Sequence, residues 1–301
     1  MNRLDDWLLR LRELLAPLFL AGALAAGAAG TVLVGPEHSD ATEIQVAAFN
    51  IQVFGQTKRG NAEVMDVLVQ TARQFDILAV QEVRDASETT ADFFLDRINA
   101  GANLTYAMVE GPRLGRTSSK EQYVIYYVPA VVTLLSSFTL DDPDDLFERE
   151  PLAAVFQAGG FDFILVVCHI KPDAAEAELQ ALAAAVPRLL AQAPGEQDLV
   201  LMGDFNADGS YLNEDELPDI FAAPFQIVIS DTLVTTTRTQ NTYDRIILAD
   251  GGASAEYVAG SAAVFLFDQE FGLTDPDFVR TVSDHYPVYA NFNIDLGDDD
   301  P

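Results

Sequence analysis

From about Glu43 onward the chain alternates short runs rich in β-branched and aromatic residues with longer runs whose apolar positions recur at helical spacing. Nine runs predict strands, at 44–53, 76–83, 122–128, 131–140, 161–169, 199–204, 226–230, 243–248 and 286–294. Helices read most clearly at two places. Asn61 can cap a segment reaching about Arg73 with Val64, Val67 and Leu68 on one face, and 174–191 is rich in Ala and Leu at helical spacing. No linker divides this stretch, so the pattern predicts one α/β domain over 43–295, followed by a solvated acidic tail at 296–301.

The amino end follows a different pattern. Positions 14–34 form a run of 21 residues without a charge, long enough to span a bilayer as a helix. The first part is bulky and apolar, whereas 21–30 holds only Ala, Gly and one Leu, with small-x-small triplets such as Ala23-Leu24-Ala25. That order suits the apolar region of a signal peptide followed by its cleavage site, so 1–35 reads as a signal peptide or, uncleaved, a signal anchor. A buried core helix fits less well, because so Gly- and Ala-rich a stretch has no polar face. Either export reading puts the domain outside the cytoplasm: secreted, periplasmic, or held at a membrane only if the segment stays uncleaved.

Composition narrows the class. With 49% hydrophobic residues among 301, the chain can bury a large core, which excludes a disordered protein. Its single cysteine, Cys168, excludes an internal disulfide scaffold and a Cys-based zinc site. The formal net charge of −30 argues against a broad basic coat for nucleic acid or anionic lipid. Charges are screened beyond about 10 Å in ~0.1 M salt, so a local basic patch with metal ions can still hold a phosphate.

Chemistry-bearing residues gather at strand ends: Asn50, Glu82, His169, Asp204 with Asn206, Asp244, and Asp284-His285. Two of the three histidines are in this set. A lone histidine at a strand end is more often structural; two among several carboxylates suit proton transfer, each ring oriented by an acid. The oxygen ligands favour Mg²⁺, Mn²⁺ or Ca²⁺ over zinc, and no HExxH spacing occurs. A hard divalent ion, two histidines and nearby arginines are what phosphodiester hydrolysis requires.

The strings FNIQVFG, QEVRD, KEQY, CHIKP, GDFNAD, YDRI and SDHYPV, in this order, resemble the endonuclease/exonuclease/phosphatase superfamily, most closely its deoxyribonuclease I branch, from about Ile44 to Asn293. The resemblance implies a four-layer α/β sandwich, two packed, mainly antiparallel β-sheets flanked by helices. It implies that Asn50 and Glu82 ligate a catalytic Mg²⁺ or Mn²⁺, with Asp284 contributing. It pairs His169 with Glu121 and His285 with Asp244 as general base and general acid, in an order the sequence leaves open. Asp204 and Asn206 would position the scissile phosphate and its metal, and Arg84, Arg149 and Tyr211 would touch the substrate backbone. Structural ion pairs are the alternative for the two arginines, and packing is the alternative for Tyr211.

The stretch 113–120 carries Arg113, Arg116 and Lys120 and no acid. It resembles the loop that deoxyribonuclease I lays in the DNA minor groove, with Ser119 where that family has a tyrosine; an exposed turn with chance charges is the alternative. The resemblance also implies structural Ca²⁺ on Asp145, Glu150 and the Phe147 carbonyl, and a second calcium loop near Asp231, although a solvated acidic loop explains the same residues. Three functions follow: an exported, metal-dependent endonuclease cutting DNA with little sequence preference, RNA remaining open; another phosphoesterase of the superfamily acting on a sphingomyelin or phosphoinositide headgroup; or a non-catalytic binding protein on this scaffold. The first accounts for the basic stretch and for a complete set of histidines and metal ligands. No association segment is evident, so a monomer without a stable protein partner is expected.

Overall fold

The computed structural model describes residues 42–213, 216–249 and 253–297. The expected leader at 1–35 and the last part of the tail, 298–301, lie outside these residues. In chain order the elements are β1 (Glu43–Phe54), α1 (Gln56–Arg59), α2 (Ala62–Ala72), β2 (Ile77–Val83), α3 (Thr90–Asn99), β3 (Ala107–Glu110), β4 (Gln122–Tyr127), β5 (Thr133–Thr139) and β6 (Leu152–Ala158). They continue with β7 (Phe161–His169), α4 (Ala175–Gln192), β8 (Leu199–Asp204), β9 (Gln226–Ile227), β10 (Asp244–Leu248), α5 (Ala253–Glu256), β11 (Ala263–Val264), α6 (Phe267–Glu270), α7 (Pro276–Val282) and β12 (Val288–Asn293).

Two six-stranded sheets result, ordered β11-β12-β1-β2-β4-β3 and β5-β6-β7-β8-β10-β9. Each has one parallel pair at its centre, β1 with β2 and β7 with β8, and antiparallel pairing elsewhere. A parallel pair needs a crossover, supplied by α1 and α2 in the first sheet and by α4 in the second. Asn61 Oδ1 accepts the Val64 amide at 3.3 Å and so caps α2, as its position in the sequence implied.

Strand alternation sorts the side chains into layers. Ile44, Val46 and Ala48 of β1 share the core between the sheets with Phe163, Leu165 and Val167 of β7 and Val200 and Met202 of β8. Ala47, Phe49 and Ile51 face the other way, toward Val64, Leu68 and Phe94 of α2 and α3. Ile164, Val166 and Cys168 likewise pack on Leu179, Leu182 and Leu189 of α4. Phe161 stacks on Phe163 within its strand at 4.4 Å and on Phe292 of the facing sheet at 5.3 Å. This is the expected four-layer sandwich, with mostly antiparallel sheets.

The sequence pattern missed β3, β6 and α3. The run Leu152–Ala158 is alanine-rich with only Val155 β-branched, so its strand character comes from lying between β5 and β7 rather than from propensity. The strand expected at 226–230 is cut to two residues, because at the sheet edge only Gln226 and Ile227 pair with β10.

Candidate active site

Parallel strands present their C-terminal ends on one side of a sheet, and antiparallel neighbours bring their N-terminal ends to the same side. Asn50 and Glu82 lie toward the ends of β1 and β2, and His169 and Asp204 close β7 and β8. Asp204 is paired in register with both His169 and Asp244, the first residue of β10. Glu121 immediately precedes β4, and His285 lies three residues before β12. Thus residues scattered from 50 to 285 reach one edge of the packed sheets.

Asp204 Oδ2 is the centre of the cluster. The Nε2 atoms of His169 and His285 lie 3.6 and 3.5 Å from it. Asn50 Nδ2 donates to the same oxygen at 2.9 Å, a bond that crosses between the sheets, and to Glu82 Oε1 at 3.2 Å. Behind each ring stands a buried acid: His169 Nδ1 is 2.8 Å from Glu121 Oε2, and His285 Nδ1 is 2.8 Å from Asp244 Oδ2. With Nδ1 engaged by a carboxylate, each Nε2 faces the cleft as the proton-transferring atom.

These pairings set the charges. Burial alone would raise the Glu121 carboxyl, but His169, Arg149 and Arg84 around it bring it down to about 2. Burial opposes the His169 imidazolium, and Glu121 outweighs that effect and raises it. For His285, Asp244 and Asp204 overcome burial and push the ring up to about 10. Burial raises Asp244 itself, against the downward pull of His285. A bound divalent cation would oppose the charged form of the ring.

Backbone strain marks the same edge. Gln52, Val53, Glu82 and Asn206 have φ of 28°, 51°, 61° and 47°, a region that side chains other than Gly, Asn and Asp rarely enter. The strain does identifiable work. The Gln52 amide donates to Asn50 Oδ1 at 2.9 Å and the Val53 amide to Glu82 Oε2 at 2.7 Å, so one turn orients both side chains. Gly203, with φ of 135°, is packed where a Cβ would collide with the Cys168 carbonyl on the adjacent strand. Gly203→Ala should therefore destabilise the protein by about 3 kcal/mol or more, read as a shift of the urea unfolding midpoint.

The remaining predicted residues divide. Asp284 is held by Gln52 Nε2 at 2.7 Å. Asn206 is turned inward, its Nδ2 donating to the Ile170 carbonyl at 2.8 Å. Arg84 and Arg149 both place guanidinium nitrogens on Glu121 Oε1, at 2.5 and 3.3 Å, and Arg149 also donates to the His169 carbonyl. Arg149 is buried, so the ion-pair alternative describes what its guanidinium does here. Tyr211 is 41% exposed and its ring lies 5.4 Å from Tyr243, which lies 6.1 Å from His285.

The 113–120 stretch is tied to the site through its base, where Leu114 and Glu121 exchange backbone hydrogen bonds at 2.8 and 2.9 Å. Arg113 reaches the Lys120 carbonyl, whereas Arg116 folds onto Asp145. Carboxylates of Asp142, Asp145 and Glu150 cluster within 4.8 Å of one another, and Asp142, which was not among the expected calcium ligands, also accepts the Phe147 amide at 2.9 Å. Asp231 is paired with the buried Arg245, so its carboxylate already has a cationic partner.

Several residues take a part in the site that the sequence did not assign them. Tyr123 OH accepts the His169 amide at 2.9 Å. Ser283 Oγ donates to the Asn50 carbonyl at 2.7 Å and accepts the His285 amide at 3.0 Å. Thr235 Oγ1 accepts the amides of Tyr243 and Asp244 at 3.1 Å each. Lys58 donates to the carbonyls of Ile51 and Val282; burial lowers its ammonium to about 8 against the upward pull of Asp284 and Glu82. Gln52, Tyr123 and Ser283 lie inside the recognised strings, which was the available signal; Thr235 and Lys58 lie outside them.

The donor chemistry suits a divalent ion. Glu82, Asp204 and Asp284 are hard oxygen donors, and Glu82 and Asp204 converge on the Asn50 amide donor, which marks a spot that favours positive charge. Asp204, Asp244 and His285 also have ligand atoms within 4.8 Å of one another.

The sequence profile of the Endonuclease/Exonuclease/phosphatase family matches residues 47–285. The chain belongs to that family. Within it, the chain is 38% identical over 260 residues to Deoxyribonuclease-1 of Oryctolagus cuniculus, covering 82% of this chain and 92% of the relative. To Deoxyribonuclease-1 of Homo sapiens it is 39% identical over 281 residues, covering 89% and 96%. Among solved structures, a humanized D. rerio TDP2 shares the family fold with a TM-score of 0.61 at 16% identity, covering 84% of this chain and 100% of the other. An endonuclease/exonuclease/phosphatase from Bacteroides vulgatus gives 0.57 at 17% identity, covering 83% and 98%. The family's two-sheet architecture is therefore the one that carries this site.

Proposed function

We propose that this chain is a divalent-metal-dependent endonuclease that hydrolyses DNA phosphodiesters with low sequence specificity. The observation that carries the reading is the convergence of two histidine–carboxylate pairs on Asp204 beside Asn50 and Glu82, in a chain 39% identical to human Deoxyribonuclease-1. Glu82, Asn50 and Asp284 would hold Mg²⁺ or Mn²⁺, whose chemistry is to neutralise phosphate charge and acidify water. The chain's own groups do the rest. The Nε2 atoms of His169 and His285 flank one point, so one accepts the proton of the attacking water and the other returns a proton to the leaving oxygen. Glu121 and Asp244 fix the rings and stabilise the imidazolium that each step creates.

Asp204 and Asn206 would orient the phosphate, with Tyr211, Arg84 and the 113–120 stretch serving the flanking backbone, while the buried Arg149 holds Glu121 and the His169 carbonyl in place. With a net charge of −30, affinity for DNA has to come from this local set and from the metal. The Asp142, Asp145 and Glu150 cluster would hold a structural Ca²⁺ if Arg116 released Asp145. The leader at 1–35 would export the domain, which acts as a monomer. Among the described residues no helix is long and apolar enough to cross a membrane.

Nicking of supercoiled plasmid by the full chain tests the reading. Relaxation with Mg²⁺ and Ca²⁺ that stops on adding EDTA is the expected result. Intact plasmid at low and high salt, together with hydrolysis of a sphingomyelin or phosphoinositide headgroup, would move the substrate elsewhere in the family.

A further inference from the structure

Lys58 is the fifth residue beyond the strained turn that orients Asn50 and Glu82, and neither the motifs nor the proposed mechanism uses it. Its Nζ donates to two carbonyls from distant parts of the chain, Ile51 at 3.0 Å and Val282 at 2.9 Å. Ile51 follows Asn50, and Val282 leads through Ser283 to Asp284 and His285. Two further bonds span the same gap: Ser283 Oγ to the Asn50 carbonyl at 2.7 Å, and Gln52 Nε2 to Asp284 Oδ2 at 2.7 Å. Of these three ties only Lys58 brings a positive charge, and Asp284 and Glu82 are the acids that pull its ammonium up.

The geometry points to Lys58 as a positioning residue that clamps the segment carrying Asp284 and His285 onto β1 while acting as an internal counter-charge that moderates divalent-cation affinity at Glu82 and Asp284. The inference rests on the proposal that these two carboxylates hold the metal. Carbonyl oxygens are neutral acceptors, so the two bonds leave the ammonium's charge uncompensated in the field of the carboxylates. That charge offsets their mutual repulsion and opposes an arriving cation. The clamp and the counter-charge have opposite consequences when lost: a loose segment slows the reaction, whereas a missing positive charge strengthens cation binding.

The test is calorimetric titration of the full chain with Mn²⁺, assigning to this site the binding that Glu82→Ala abolishes, beside plasmid nicking. Lys58→Met, which keeps length but loses donors and charge, should bind Mn²⁺ about five- to tenfold more tightly while kcat falls at least about tenfold. Lys58→Arg, which keeps both, should restore the wild-type affinity. If Lys58→Met does not fold, Lys58→Gln, neutral but still a donor, should show the tighter binding. Binding that is unchanged or weaker in the neutral variants overturns the counter-charge, since a purely structural role would loosen binding and activity together. Wild-type protein without Glu82-dependent binding overturns the metal reading itself, and this inference with it.

Discussion

Replacing His285 by alanine should lower plasmid nicking at least about a hundredfold, and replacing His169 should do the same, because each removes one of two proton-transferring groups. The two losses should not multiply. Both Nε2 atoms address the point marked by Asp204 Oδ2, at 3.5 and 3.6 Å, and a reaction that has lost its base gains little from a remaining acid. The variants must be compared at matched folded fraction. His285→Ala leaves Asp244 buried without its ring partner, so the thermal midpoint should fall as well. Purified variants with native circular dichroism and near-wild-type nicking rates would falsify the two-histidine mechanism.

Glu121→Gln should be the most damaging change that leaves every proposed metal ligand and both histidines in place. This fully buried carboxylate serves three cations: His169 through Oε2, and Arg84 and Arg149 through Oε1. An amide cannot accept from all of them, and Arg149, buried, is left with the His169 carbonyl as its main acceptor. Activity should fall by two orders of magnitude or more, because the His169 ring loses both its orientation and the stabilisation of its charged form.

Stability should fall with it, in a pH-dependent way. The folded-state pKa of Glu121, about 2, lies below its ordinary value of 4.5. Its contribution is therefore complete above about pH 4.5 and is lost as pH falls through 2, amounting to about 3 kcal/mol at neutral pH. Urea unfolding should show wild type more stable than Glu121→Gln by roughly that amount at pH 7, and the gap should close toward pH 2. A gap that stays constant between pH 7 and 2.5 would show that the carboxylate's charge is not what stabilises the fold.

The recognised strings made most of the site legible because each one ends or begins a strand, and strand order then leaves little freedom in where those side chains meet. GDFNAD carries its own explanation: Gly203 permits close packing on β7, Asp204 ends β8, and Asn206 takes the left-handed turn. The roles of Arg84 and Arg149 were not legible. In sequence they are two basic residues beside acids, and only folding brings both onto Glu121, 37 and 28 positions away. Asp231 looked like a loop acid and is the partner of a buried arginine. Lys58 gave no signal, since a lysine near the surface of a four-residue helix is ordinary until its ammonium is seen between two backbone segments, one 7 and the other 224 positions away from it.

By itself the sequence determined the α/β class, the strands with clear alternation, the family and the identity of the two histidines with their acids. These properties rest on local periodicity and on residue types that few other arrangements use together. Tertiary structure decided that an alanine-rich run becomes the inner strand β6, that both sheets deliver their active ends to one edge, and that Asp204 rather than any other acid stands between the rings. The physical reason is that burial and charge pairing depend on which distant segments share a low-dielectric space. Strand pairing across the two sheets fixes those distances, and no local pattern encodes them.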